Sequence, residues 1–302
     1  MLLDLTDRAK FNVTGKDRVR FLNGQLTNDI LSLRPGSAIC ACALTAKGKL
    51  CADLFVAPTK ESHFLDAESV LRESLAARLE KYIIADDVTL EDVTDAFGLF
   101  HLVVPTSANA GAPEPFPWVE ETDTLLIACN RFGIPGIDFW FPAGQAALVQ
   151  GKLQQSPIDF QAAENLRIEQ GIARWGHELS EEVIPNEAGL DQRAINYTKG
   201  CYLGQEVISR IKSVGHVNRH LCGLMPGPGI AVATGDKLFS DGESKKEIGF
   251  ITSVGWRRSE GRVIALGYVR RGFDAPGSIL QVRRNNTLIG PIEVQSLPFN
   301  SA

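Results

Sequence analysis

Lys199-Gly200-Cys201-Tyr202-Leu203-Gly204-Gln205-Glu206 is the most informative stretch of this 302-residue chain. Glycines stand on both sides of its cysteine, and Gln205-Glu206-Val207-Ile208-Ser209-Arg210-Ile211 continues it as a run compatible with a helix. The spacing predicts Cys201 just ahead of a helix N-terminus. There the positive end of the helix dipole and the nearby Lys199 would both favour thiolate over thiol, lowering the pKa and raising reactivity. Gly200 and Gly204 would permit tight backbone paths and the close approach of a ligand. An inert cysteine buried beside a turn satisfies the same residues, because free cysteine is commonly packed into cores.

Toward the N-terminus, Val13-Thr14-Gly15-Lys16-Asp17 reads as a strand end and turn, with Asp17 as N-cap of a helix. Val19, Leu22, Leu26 and Ile30 share one face of that helix, which should stop by Pro35-Gly36. Two β-rich runs, 38–44 and 50–56, flank Thr45-Ala46-Lys47-Gly48-Lys49 and predict a hairpin. A strand at 63–66 follows, then helical spacing of Leu71, Leu75, Leu79 and Tyr82 over 68–84, and β-like runs at 88–93 and 97–105. Residues 106–117, rich in small residues and proline, read as a loop or subdomain joint. A second α/β stretch has strands at 124–129 and 138–141, a turn at 131–136 and helices near 143–154 and 159–170.

Beyond Gly215 the texture changes to short apolar runs broken by Met225-Pro226-Gly227-Pro228-Gly229, Ser240-Asp241-Gly242 and Ala275-Pro276-Gly277. Closely spaced turns with little helical periodicity predict a small β-barrel or sandwich, with a boundary near 215–225. Charge is uneven as well. Residues 190–302 hold 15 Lys and Arg against 9 Asp and Glu, so the first 189 residues carry 16 against 27. A basic C-terminal half suits an anionic ligand or a nucleic acid, although solvated surface charge gives the same asymmetry and no aromatic-rich RNA-binding motif accompanies it.

The 44% hydrophobic and 22% charged content is that of a soluble globular protein with a sizeable core. Acids within the first seven residues, and no apolar stretch near 18 residues, point to the cytoplasm. In that compartment the six cysteines are expected to stay reduced. Cys40-x-Cys42 has half the look of a metal site, but no second pair or nearby histidine completes it, and no resident metal is expected. His177-Glu178 with Glu181 and Glu182 matches no ligand spacing and reads as a solvated acidic loop. A phosphate loop, a dinucleotide Gly-x-Gly-x-x-Gly and His-Glu-x-x-His are all missing, which argues against nucleotide phosphate chemistry and zinc hydrolysis.

The Lys199 to Glu206 segment resembles the hallmark of the YgfZ family, relatives of the glycine-cleavage aminomethyltransferase (T-protein) fold. Val13-x-Gly15-x-Asp17-x4-Leu22-x4-Thr27-Asn28-Asp29 resembles the family's opening, and Lys47-Gly48-Lys49-x3-Asp53 its first hairpin. Arg131-x-Gly133-x2-Gly136, Leu166-Arg167-Ile168-Glu169-x-Gly171 and Pro185-Asn186-Glu187-Ala188-Gly189-Leu190 resemble further family segments. The resemblance implies an α+β, aminomethyltransferase-like fold: residues 1–215 as two α/β subdomains around a central folate site, and 216–302 as a C-terminal β-barrel.

It also implies tetrahydrofolate or a derivative as ligand. Glu169 would accept the amino and ring N–H groups of the pterin. Arg167 and Arg131 would hold the site or the folate's carboxylate tail, or else form structural ion pairs. Cys201 would be the functional thiol, Lys199 its tuner, and Tyr202, Gly204, Gln205 and Glu206 its surroundings. The implied function is support for assembly or repair of iron-sulfur clusters, with client enzymes, including tRNA-thiolating ones, or assembly factors as partners. T-proteins carry paired acids in the first hairpin, whereas this chain has Ala52-Asp53. Asp53 is then either a remaining catalytic acid or a polar strand residue, and the lost acid weighs against ordinary aminomethyl transfer. The rivals are a folate-dependent one-carbon transferase and a tRNA-binding accessory module using the basic C-terminal half.

Overall fold

The computed structural model describes residues 1–104, 119–240 and 246–299. The expected joint at 106–117 lies outside the described residues. Contacts divide the chain into two units, residues 1–159 with 192–207, and residues 160–191 with 208–302.

The first unit runs β1 (Leu2–Asp4), β2 (Ala9–Thr14), α1 (Arg18–Gln25), β3 (Ile39–Leu44), β4 (Leu50–Pro58), β5 (His63–Ala67), α2 (Arg72–Glu80), β6 (Thr89–Asp92), β7 (Phe97–Val103), β8 (Leu125–Cys129), β9 (Gly136–Pro142) and α3 (Ala146–Leu153). One sheet has the order β3-β4-β5-β2-β6 and the other β1-β7-β9-β8. The predicted hairpin is β3-β4, and the first sheet is antiparallel throughout. Ala57 and Phe64 of one sheet and Leu99, Ile127 and Trp140 of the other share a core. Side chains alternate along a strand, so Asp53 and Phe55, on the same face as Ala57, look toward that shared interior. The far side of the second sheet buries Phe100, Ile137, Phe139 and Phe141 with Val149 of α3.

The first helix is shorter than its apolar spacing predicts. It ends at Gln25, and Leu26 is extended at φ −116°, ψ 154°. Leu26 and Ile30 are still fully buried, but the chain reaches that position by pairing with the hairpin. The Thr27 N–H donates to the Cys42 carbonyl, and the Ile30 N–H to Asn23 Oδ1. Tertiary hydrogen bonds override the local period here. Asp17 stands at the predicted N-cap position, yet its carboxylate accepts the Asp87 N–H at 2.9 Å instead of a donor from its own helix.

The second unit contains α4 (Phe160–Glu169), most of α5 (Gln205–Ser213), and β10 (Arg219–Pro226), β11 (Lys237–Ser240), β12 (Glu247–Arg257), β13 (Arg262–Arg270), β14 (Ile279–Arg284) and β15 (Thr287–Gln295). These strands close into a barrel of order β10-β13-β12-β11-β14-β15 around Leu224, Leu238, Ile251, Ala265, Val282 and Val294. Closure removes the exposed sheet edges that an open sheet would leave. The helix α4 belongs with the barrel because Ile168 packs with Ile264, Leu266 and Phe299. No helix among the described residues is long and apolar enough to cross a membrane.

Candidate functional site

In the first unit, residues 193–204 lie along the end of α1 and the β3-β4 hairpin. The Asn196 N–H donates to the Thr27 carbonyl, Thr27 Oγ1 donates to the Ala194 carbonyl at 2.6 Å, and the Leu203 N–H donates to the Gly24 carbonyl. Gly204 has φ +85°, and a Cβ there would sit 2.6 Å from the Thr45 carbonyl oxygen. Only glycine meets both the left-handed backbone and the close approach to the hairpin turn. Lys199 Nζ donates to the carbonyls of Asn23, Leu26 and Asn28 at 2.6, 2.8 and 2.6 Å. A helix leaves its last carbonyls without internal partners, and this ammonium supplies them at α1. Burial lowers the Lys199 pKa to about 8, so the group stays protonated at neutral pH. Lys199 therefore acts on the thiol segment as an anchor, with two of its N–H donors directed at the end of α1 and the third at the loop that follows it.

Cys201 is the one exposed cysteine of the six; Cys51 is half-buried and the others are buried. Three residues separate it from the first residue of α5. The next side chain, Tyr202, turns inward and is 7% exposed, and its hydroxyl has no hydrogen-bond partner among the described residues. Burial raises its pKa above the usual tyrosine value, and the Cys42 thiol lies within electrostatic reach. Cys42 in turn sits across the hairpin from Asp53.

Asp53 Oδ1 is also buried without a hydrogen-bond partner among the described residues. Burial raises the Asp53 carboxyl to about 6 against the opposing pull of Arg8, with Glu68 adding to the rise. Around it the interior face is highly charged. Arg193 lies over the Phe55 ring at 5.9 Å and donates to the Arg131 carbonyl at 2.8 Å. Burial pushes the Cys40 thiol up to about 11, and Cys42 well above its ordinary value, so both are neutral packing residues of the strand. No group of three or more metal-ligating side chains occurs among the described residues.

The Asp53 shift has a signed consequence. Its folded pKa lies above the unfolded value, so the folded state holds the extra proton between about pH 4 and 6, and stability falls as pH rises through that window. Asp53→Asn should therefore raise the melting temperature at pH 7.5 and leave it nearly unchanged at pH 4. Melts at the two pH values check this, and equal shifts at both would contradict it.

Two family models match the chain, one described as GCVT N-terminal domain over residues 1–110 and one as glycine cleavage T-protein C-terminal barrel domain over residues 219–300. Together they cover more than half of it. The chain carries both domains of the glycine cleavage T-protein family. Among similar proteins is a tRNA-modifying protein YgfZ of Yersinia pseudotuberculosis, 27% identical over all of this chain and 93% of the relative. The Yersinia enterocolitica counterpart is 28% identical over 99% of this chain and 92% of its own. The mitochondrial aminomethyltransferase of Gallus gallus is 26% identical, with 99% and 81% covered. The glycine cleavage system aminomethyltransferase T of Bartonella henselae shares the fold at TM-score 0.83 and 20% identity, with 99% and 86% covered.

Of the remaining residues singled out in this T-protein-like chain, Arg131 lies in the first unit and is 4% exposed. It grips Asp138 through Nε and Nη2, and Asp66 through Nη1 and Nη2, at 2.7–3.1 Å. These bonds engage four of its five N–H groups and leave one Nη1 donor. Arg167, in the second unit, has all five engaged by Glu164, Glu178, Ser253 and the Ile172 carbonyl. Of the two roles open to each arginine, the structure places both in ion pairs. Glu178 corrects the reading of a solvated loop: it is 1% exposed and also accepts the Arg174 N–H and the Ser253 hydroxyl. Glu169 accepts from Arg257 Nε at 3.0 Å through Oε1, and its side chain is 28% exposed. Gln205 opens α5, half-buried, and its N–H donates to the Tyr202 carbonyl.

Proposed function

We propose that this chain binds a reduced folate and supports assembly or repair of iron-sulfur clusters in client enzymes of the cytoplasm, including tRNA-thiolating ones. The observation that carries this reading is that Asp53 Oδ1 and the Tyr202 hydroxyl, two of eight such atoms in the unit that also presents Cys201, are buried without a hydrogen-bond partner among the described residues and both neighbour Cys42. Buried polar atoms are nearly always satisfied, and exceptions call for a ligand, a water or a reaction. A pterin fits that demand chemically, because it offers N–H donors to a carboxylate and ring or carbonyl acceptors to a phenol.

A reduced folate, when bound, supplies a one-carbon carrier. The rest of the chemistry belongs to this chain's own residues. Asp53 can hold or release a proton near neutral pH, as a general acid or base must. Tyr202 can donate one hydrogen bond, and Lys199 pins the segment from which Cys201 reaches solvent. A single thiol is too few to hold a cluster, so Cys201 would handle iron, sulfur or an electrophile in passing. Glu169, in the second unit, is offered as pterin partner by the resemblance alone, and its Oε1 accepts from Arg257 Nε.

The names of the YgfZ relatives support the tRNA link. One observation favours a second reading: a hairpin acid raised to about 6 suits a folate-dependent one-carbon transferase. The decisive assay is rescue of a strain lacking its own family member, scored by an iron-sulfur enzyme that thiolates tRNA. Rescue is expected; failure to rescue, with product formed from tetrahydrofolate and an aminomethylated carrier protein, would favour the transferase.

A further inference from the structure

The second unit's segment 208–302 holds 13 Lys and Arg against 7 Asp and Glu, and some of these cations gather at one end of the barrel. The strand β13 ends in Arg270, followed by a turn in which the Phe273 N–H donates to the Arg270 carbonyl and the Gly272 N–H to Asp274 Oδ1. Gly272 takes φ +93°, which glycine tolerates at no steric cost. The Arg271 N–H donates to the Asn218 carbonyl, tying the turn to the start of β10, where Arg219 pairs with Arg270 across the ladder. The turn is thus held at both ends, and it presents Phe273, 37% exposed, beside Arg270 and Arg271.

Neighbouring charges leave those cations uncompensated. Glu187 is taken by Arg219, which also lies 4.3 Å over the Tyr268 ring, and Asp274 is taken by His220. Asp191 has Lys212 and His220 within electrostatic reach. Arg270, Arg271 and Arg210 are exposed and have no acidic partner among the described residues. Arg210 lies in the last turn of α5, which closes with the Val214 and Gly215 N–H groups on the Arg210 carbonyl. The chain from Val214 to Asn218 can span at most about 14 Å, so the end of α5 and the turn sit within a few phosphate spacings of each other.

We infer that this end of the barrel is a binding surface for single-stranded or loop RNA, in which Arg270, Arg271 and Arg210 meet phosphates and Phe273 stacks on a base. A rigid aromatic beside unpaired guanidinium groups is the chemistry by which proteins hold unpaired bases and their backbone. An anionic membrane would call for a broad apolar face on a basic amphipathic helix, and here the turn offers one ring. The inference rests on the tRNA link within the proposed function and names the surface that would serve it.

The test uses the full chain, a fluorescently labelled unmodified tRNA transcript, and polarisation at 50 to 250 mM salt. The wild type should bind with a steep salt dependence. Removing two phosphate contacts in the Arg270→Ala/Arg271→Ala variant should weaken binding at least tenfold at low salt and reduce the log–log slope by about 1.4. Phe273→Ala should weaken binding about tenfold with an unchanged slope. Both variants should keep the wild-type melting temperature and tetrahydrofolate affinity. Wild-type affinity and slope in both variants, or no wild-type binding at 50 mM salt, would overturn the inference. So would competition by phosphatidylserine vesicles at matched charge. If RNA behaves as described and tetrahydrofolate does not bind the wild type, it is the folate reading that fails.

Discussion

Replacing Arg131 with Met should cost the fold about 3–5 kcal/mol, because removing one member of a buried ion cluster strands the rest. Arg131 joins Asp66 of the first sheet to Asp138 of the second, and its guanidinium also lies 4.3 Å over Phe55. Both aspartates are at most 2% exposed. Asp66 would retain Arg8, and Asp138 would retain His101 Nδ1 at 2.7 Å, so the loss falls short of two free buried charges. The Arg131 charge holds the carboxyls of Asp66 and Asp138 below their ordinary range against the cost of burial. Depressed carboxylates contribute stability above their unfolded pKa and lose it as pH falls. Wild-type stability should therefore decline below about pH 4, and Arg131→Met should flatten that decline. Urea melts from pH 3 to 8 check both. Adding Asp66→Asn and Asp138→Asn to Arg131→Met should recover part of the loss, since the stranded charges are then gone. A single-variant loss under 1 kcal/mol would refute this account of how the two sheets are joined.

Cys201→Ala should abolish rescue in the tRNA-thiolation assay while changing folding stability by no more than about 0.5 kcal/mol, the usual range for an exposed site. The contrast with its neighbours is what makes the variant informative. Cys40, Cys42, Cys129 and Cys222 are buried, and burial raises each thiol above its ordinary pKa. A thiol kept protonated and covered cannot act as nucleophile or ligand. Cys42→Ala should accordingly cost stability while leaving rescue intact under permissive conditions. Full rescue by Cys201→Ala would remove the thiol from the mechanism.

Much of the fold could be read from local pattern: the 45–49 turn between two β-rich runs is the β3-β4 hairpin, and the glycine- and proline-broken segment beyond 215 closes into a barrel. What could not be read depends on partners distant in sequence. The apolar period of the first helix continues through Leu26 and Ile30, yet the backbone leaves the helix to bond Cys42, fifteen residues after Thr27. Lys199 meets α1 more than 170 residues away, so its role as an anchor is invisible in Lys-Gly-Cys spacing. Glu178 sits in an acidic run and is nonetheless buried, because Arg167 and Ser253 complete it. At the site, Cys201 and Asp53 were legible as residues of interest from motif and hairpin position. The missing partners of Asp53 Oδ1 and the Tyr202 hydroxyl are facts of packing, and no local signal encodes them.

Calorimetric titration of the wild-type chain with tetrahydrofolate tests the central claim most directly, with Asp53→Asn and Tyr202→Phe run alongside. The account predicts saturable one-to-one binding, weakened at least tenfold by either substitution without loss of folded structure. No saturable heat from the wild type, or equal affinity in all three proteins, would contradict it.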